Sequence, residues 1–326
     1  MKQNLVFTLL SLSLMIPPFS YANETSTTGS SYWDSVVKEY DKEIRNKVRK
    51  LHQQCSSDNG DSCFDLAMMY FEGQDVDGDL RKANELFEKS CNLRIGLGCH
   101  NIGASYFYGK GVPVDVEKAN FFFEKGCSLS CGSACRNLAL NYEEGVGVKR
   151  SLSQARKYNE KACDLGDVHG CNIAGLDYLD GLSVTVSHQN AIKWFKKGCD
   201  LGDIYSCNNA AAAYSRDKNE KKRVEYLEKG CSINLKDERH STMQGEVCSS
   251  LGYHYATGLG VKKSIFKANE LFEKSCSLGD GRGCVNLGVS YFNGSGVRKN
   301  KAKAKHYYGL ACDLQNERGC EYYARE

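Results

Sequence analysis

Cysteines are the residues of this chain whose spacing most plainly implies chemistry. They pair as C-x7-C at Cys55/Cys63, Cys91/Cys99, Cys127/Cys135, Cys163/Cys171, Cys199/Cys207, Cys276/Cys284 and Cys312/Cys320. An eighth pair, Cys231/Cys248, is stretched to seventeen residues. Thiols held this close form disulfides in an oxidising compartment. A zinc site would use C-x2-4-C with further ligands. The histidines His100, His169, His188, His240, His254 and His306 are scattered through the chain with no H-x-x-x-H pair. No metal and no cofactor is therefore expected. Cys131, four residues from both Cys127 and Cys135, is the one cysteine outside the scheme and is expected as a free thiol in the turn.

A second chemistry is amide recognition. A tyrosine recurs at 70, 106, 142, 178, 214, 255 and 291. Five residues before it stand Asp65, Asn101, Asn137, Ile173, Asn209, Ser250 and Asn286, and one before it Met69, Ser105, Asn141, Asp177, Ala213, His254 and Ser290. The two columns are four apart and so share one face of a helix. Asparagine offers both a donor and an acceptor, which suits the backbone of an extended peptide. The candidate binding residues are thus Asp65, Asn101, Ser105, Asn137, Asn141, Asp177, Asn209, His254, Asn286 and Ser290.

The elements that must carry these residues follow from one period. The first cysteines step by 36 residues from 55 to 199, and 276 to 312 is 36 again. Such a period means stacked supersecondary units. Each of seven units over 55–316 reads as helix A, a short glycine loop and helix B. Three before the tyrosine only small residues occur, Ala67, Gly103, Ala139, Gly175, Ala211, Gly252 and Gly288, as close helix approach requires. Three after it, glycine at 73, 109, 145, 181, 258 and 294 stops the helix. A G-x-G-V loop runs over Gly109–Val112, Gly145–Val148, Gly258–Val261 and Gly294–Val297. Helix B has its own small column at Ala83, Ala119, Ala155, Ala191, Ala268 and Ala304. Unit five departs: it lacks the loop, carries Arg223 in place of that alanine, and is followed by a nine-residue insertion between Cys231 and Cys248. A local bend or protruding loop is expected there.

Residues 31–54 show one apolar stripe through Trp33, Val36, Val37, Tyr40, Ile44, Val48 and Leu51, which predicts an N-terminal capping helix. Residues 317–326 read as a truncated helix. Residues 1–22 have the charge, short apolar core and small-residue site of a secretory signal, with cleavage expected after Ala22, and 23–30 form a polar linker. A secreted or periplasmic protein with no membrane span is expected. A net charge of +3 gives no electrostatic case for nucleic acid.

These columns resemble the Sel1-like repeat, a relative of the tetratricopeptide repeat, and regular C-x7-C pairs on an exported chain are similar to the Helicobacter cysteine-rich protein family. The resemblance covers residues 31–326. It implies an all-α fold, a right-handed α/α solenoid superhelix clamped by disulfides, with helix A lining the concave face. On that face the amide columns point to a peptide or protein partner, with a non-binding envelope scaffold as a further alternative. Members of the resembled family are described as penicillin-binding proteins or β-lactamases, so a β-lactam is the alternative ligand. Serine β-lactam enzymes use S-x-x-K, S-D-N and K-T-G. The chain has Ser35-x-x-Lys38, Ser264-x-x-Lys267 and Ser57-Asp58-Asn59, and no K-T-G. No catalytic residue is thereby assigned, and Ser35, Lys38, Ser57, Ser264 and Lys267 stand as candidates on resemblance.

Overall fold

The structure is a computed structural model that describes residues 30–73, 75–181, 184–234 and 240–326, with side chains from Lys42 onward. The signal segment 1–22 and most of the linker 23–30 lie outside the described residues, as do the side chains of Ser35 and Lys38. The chain divides into a unit ending at Lys50 and a unit running from Leu51 to Glu326. Helix α1 spans Ser30–Ser56. Seven antiparallel helix pairs follow: α2 (Gly60–Glu72) with α3 (Leu80–Asn92), α4 (Gly96–Tyr108) with α5 (Val116–Ser128), α6 (Gly132–Glu144) with α7 (Leu152–Asp164), and α8 (Val168–Asp180) with α9 (His188–Asp200). The remaining pairs are α10 (Ile204–Arg216) with α11 (Glu220–Ser232), α12 (Ser241–Thr257) with α13 (Ile265–Ser277), and α14 (Gly281–Asn293) with α15 (Lys301–Asp313). Helix α16 covers Glu317–Arg325. Within the second unit each helix packs on its sequence neighbours, and from α4 to α16 each helix A also meets the next helix A, which is the contact pattern of a solenoid.

Local chemistry sets where each helix begins and ends. Helix B starts at a side-chain cap in every unit: Asp79, Asp115, Ser151, Ser187, Asn219, Ser264 and Asn300 each accept the backbone N–H three residues on. Helix A is capped the same way by Asn59, Asp167, Asp203 and Asn316. The predicted glycine stops at Gly73, Gly109, Gly145, Gly181, Gly258 and Gly294 all take the left-handed conformation. A further left-handed residue sits in each of the seven C-x7-C turns: Asp58, Arg94, Ser130, Gly166, Gly202, Gly279 and Gln315. Four of these seven are not glycine, which hides the column from a search for glycine alone.

Packing explains the small column of helix A. A Cβ added to Gly175 would lie 2.3 Å from Phe195 of the paired helix B, and one on Gly252 would lie 2.6 Å from Phe272. Those rings are buried and leave no room for a methyl group. In three units the repeat tyrosine stacks on a helix-B aromatic sixteen residues on: Tyr106/Phe122 at 5.9 Å, Tyr142/Tyr158 at 5.5 Å and Tyr291/Tyr307 at 5.6 Å between ring centroids. Each inter-unit turn is then closed covalently. The pairs are Cys55–Cys63, Cys91–Cys99, Cys127–Cys135, Cys163–Cys171, Cys199–Cys207, Cys231–Cys248, Cys276–Cys284 and Cys312–Cys320, with Cα–Cα separations of 4.4 to 4.9 Å. Each joins the last turn of one helix to the next helix, in its first turn except at Cys248, which lies two turns into α12.

The insertion after unit five is not simply a protruding loop. Part of it winds into α12, which has 17 residues where helix A of the other units has 13. Gln244 on this extra turn donates from Nε2 to the carbonyls of Cys231 and Ile233, so the added helix caps the end of α11. Residues 235–239 lie outside the described residues.

Candidate functional site

The two columns proposed as one binding face separate in the structure. Ser105, Asn141, His254 and Ser290 are buried, so they are corrected from binding residues to internal ones. The reason is helical geometry: a step of four residues turns by about 40° past a full turn. That rotation carries the second column off the open face and into the seam with helix B. Asn141 Nδ2 donates to Asn120 Oδ1 at 2.6 Å, and Asn120 Nδ2 donates to the Val146 carbonyl at 2.9 Å. The same tie joins Asn84 to the Lys110 carbonyl at 2.7 Å and Asn269 to the Ser295 carbonyl at 2.8 Å. Each links helix B of one unit to the G-x-G-V loop of the next. Gly111 shows why that loop must be glycine, since its φ is +72° and a Cβ there would stand 2.6 Å from Leu80.

Unit five lacks this asparagine and has Val224 in its place. In unit six His254 instead meets the loop of its own unit, its Nδ1 lying 2.9 Å from the Leu259 carbonyl. A carbonyl only accepts, so Nδ1 carries the proton. The sequence contained this exchange as two departures in different columns, with nothing to connect them. The Asn84, Asn120 and Asn269 ladder was overlooked, although its members stand beside the alanines of helix B.

Asp177 is half-buried against the neighbouring unit. Burial, reinforced by Glu143 and Glu160 and opposed by Arg156, pushes its carboxyl up to about 6.

The first column keeps its place on the open side of helix A. Asp65 is exposed, and Asn101, Asn137, Asn209 and Asn286 are partly so. They are linked along the solenoid. His100 Nδ1 lies 3.0 Å from Asn101 Oδ1, and Asn137 Nδ2 lies 3.1 Å from His100 Nε2. Those partners require a neutral ring protonated on Nδ1. Burial lowers the His100 pKa, and Arg136 adds to the effect, which favours that neutral form. Asn209 Nδ2 donates to Asn172 Oδ1 at 2.8 Å. Asn137 and Asn209 therefore spend one donor inward, while their Oδ1 atoms accept no hydrogen bond among the described residues. Apolar side chains stand exposed on helix A beside this row: Leu97, Leu140 and Tyr253, at 50%, 38% and 57% exposure.

The serine candidates have structural duties. Ser264 is the N-cap of α13 and accepts the Lys267 backbone N–H at 3.3 Å. The Lys267 ammonium points elsewhere and donates to Tyr255 Oη at 2.6 Å. A nucleophile and base must share a hydrogen bond, and these two do not. Ser57 lies in the turn after α1, Asp58 pairs with Lys89 at 3.1 Å, and Asn59 caps α2, so the S-D-N triplet is a helix start. Cys131 is free and buried in the N-cap position of α6, and burial raises its thiol pKa. Among the described residues no three metal-ligating side chains gather.

Comparison with known proteins agrees with the geometry. The Sel1 repeat model matches at residues 60–94, 96–131, 132–167, 169–203, 246–280 and 281–316. The stretch left between 203 and 246 is the divergent unit five. A protective antigen of uropathogenic Escherichia coli strains, displaying an SLR fold, superposes with a TM-score of 0.72 and 25% identity over 85% of this chain. This chain spans 58% of that structure's length. A Sel1 repeat protein from Oxalobacter formigenes shares the fold, with a TM-score of 0.63, 20% identity and coverage of 87% of this chain and 81% of its own. Helicobacter pylori cysteine rich protein B is 32% identical over 43% of this chain and 98% of its own, with a TM-score of 0.35. No curated protein matches. Capped helix pairs repeating every 36 residues and matched six times over make this chain a member of the Sel1 repeat family.

Proposed function

We propose that this chain is an exported, disulfide-clamped scaffold that holds an extended peptide or protein segment along the concave, helix-A face of its repeats. The observation that carries this reading is the row of half-open amides at Asn101, Asn137, Asn209 and Asn286, set beside exposed Leu97, Leu140 and Tyr253. Unused amide oxygens suit peptide N–H groups, and the apolar neighbours suit alternate side chains. Rigid presentation fits too, because the disulfides clamp each turn and a preorganised face loses less entropy on binding. Residues 31–54 act as the leading cap in this reading, 55–316 as the seven repeats and 317–326 as the trailing half-unit.

Eight disulfides place maturation in an oxidising compartment. No described helix is long and apolar enough to cross a membrane. Export through the signal over 1–22 accounts for the compartment, and the mature chain would begin at Asn23.

The binding test is capture from envelope and host extracts, with the wild type compared against Asn101→Ala/Asn137→Ala and against Asn286→Ala. Bound segments should protect α4, α6 and α14 from hydrogen exchange, and capture should fall about tenfold in the double variant, the worth of one or two lost hydrogen bonds. Capture unchanged by all three substitutions would remove the asparagine row from the binding face.

A further inference from the structure

Unit five places a cation where its neighbours have a methyl group. Arg223 stands in the column of Ala83, Ala119, Ala155, Ala191, Ala268 and Ala304. It lines an open pocket of about 250 Å³ together with Ser250 and Tyr253 of α12, Arg282 and Asn286 of α14, and Arg318 of α16. Arginines from three helices thus line one small volume, and no carboxylate lines it.

The existing partners of the three arginines show which one can take a ligand. Arg282 is matched by Asp280 at 3.0 Å and Glu246 at 3.3 Å. Arg223 donates to Ser215 Oγ at 2.9 Å and lies 3.5 Å from Glu220. Arg318 is exposed and makes no hydrogen bond or ion pair among the described residues. The three carboxylates offset the charge of the three arginines, and Arg318 is the guanidinium whose donors stay uncommitted. A carboxylate presents two oxygens in a plane, the geometry of the guanidinium fork. The amide of Asn286 also has no side-chain hydrogen bond among the described residues, so it is free for a peptide group flanking that carboxylate. Tyr253, at 57% exposure, supplies an apolar wall.

We propose that this pocket is the anion subsite of the helix-A face and takes the carboxylate of an acidic peptide segment. The proposal rests on the peptide-binding reading above and adds to it the chemical class of one anchor and its place. The carboxylate could belong to an aspartate or glutamate side chain or to a chain terminus, since both present the same two oxygens.

Fluorescence anisotropy of labelled glycine-serine peptides tests this directly. One peptide carries two aspartates and is made as free acid and as C-terminal amide; a second carries asparagines in their place, and a third a phosphoserine. The aspartate peptide should bind the wild type roughly tenfold more tightly than the asparagine amide, the usual worth of a charge-assisted hydrogen bond. Arg318→Gln should abolish that preference, and Lys149→Gln, an equal loss of charge elsewhere on the surface, should leave it intact. Because Arg318 is exposed, its substitution leaves the fold in place. Free acid and amide of the aspartate peptide binding alike assigns the side chain as the source, and a preference for the free acid assigns the terminus. Three results would overturn the proposal: aspartate and asparagine peptides binding alike, equal losses in Arg318→Gln and Lys149→Gln, or tighter binding of the phosphoserine peptide. The Asn101→Ala/Asn137→Ala capture experiment touches no residue of the pocket, so failure of the subsite and failure of the groove are told apart.

Discussion

Asp177 shows how one position in a repeating column acquires its own chemistry. Its equivalents Ser105, Asn141 and Ser290 are neutral and buried, whereas Asp177 carries a carboxyl beside Glu143 and Glu160. Its pKa in the folded chain, about 6, lies above the ordinary 3.8. The folded state therefore holds the proton more tightly than the unfolded chain. Stability is full below the unfolded value and falls as pH rises towards the folded one, after which it levels off. Asp177→Asn removes the charge and keeps the shape. Thermal melts should show the variant equal to wild type near about pH 4 and more stable near about pH 8. A gain of the same size at both pH values would show that Asp177 is not destabilised by its charge. The sequence marked this residue as a ligand contact because column position was visible, while the acidic neighbours from Glu143 and Glu160 were not.

Between elements, the decisive contact is a missing methyl group. Gly175 in α8 faces Phe195 of α9, which is fully buried. An alanine in a helix interior normally stabilises by about 0.5–1 kcal/mol relative to glycine. Here the added Cβ would sit 2.3 Å from the ring, and overpacking of this kind costs about 1–3 kcal/mol. The clash wins, so Gly175→Ala should destabilise in urea melts. Adding Phe195→Leu to Gly175→Ala should cost less than the sum of the two single changes, because the smaller side chain frees the space the methyl group needs. Strict additivity would show that the two residues do not share the contact. The need for small residues here was legible from the column itself. The partner twenty residues on was not, because the paired aromatic is replaced in other units by Asn159 and Leu227. The Asn84, Asn120 and Asn269 ties to the loops were missed for a related reason, since their acceptors are backbone carbonyls and leave no mark in a sequence.

For the second compact unit taken whole, covalent bonds carry much of the stability. A disulfide closing so short a loop contributes about 2–3 kcal/mol in the chain-entropy model. Eight of them span every inter-unit turn, where a solenoid would otherwise depend on nearest-neighbour packing alone. Cys131 is the internal control on this ladder. It is the free cysteine, buried at 7% exposure with a raised thiol pKa. Alkylation without reductant should be slow on the native protein and should label one thiol per chain after denaturation, with mass mapping placing the label on Cys131. Two or more labelled sites would mean that at least one rung is open.

The sequence by itself determined the repeat, its helix ends and its cysteine ladder. Each of these is encoded by residues close together in the chain: a cap and the N–H three residues on, a glycine and its own φ, two thiols eight residues apart. Family membership follows from the same local pattern. Tertiary structure alone decided which side of helix A is open. A few tens of degrees of rotation separate Asn137, which keeps an oxygen free, from Asn141, which is sealed against Asn120. It also decided that Ser264 caps a helix and that Lys267 turns away from it towards Tyr255. The lining of one pocket by Arg223, Arg282 and Arg318 belongs to the same class, since residues from three units far apart in the chain border one volume only when the solenoid has formed.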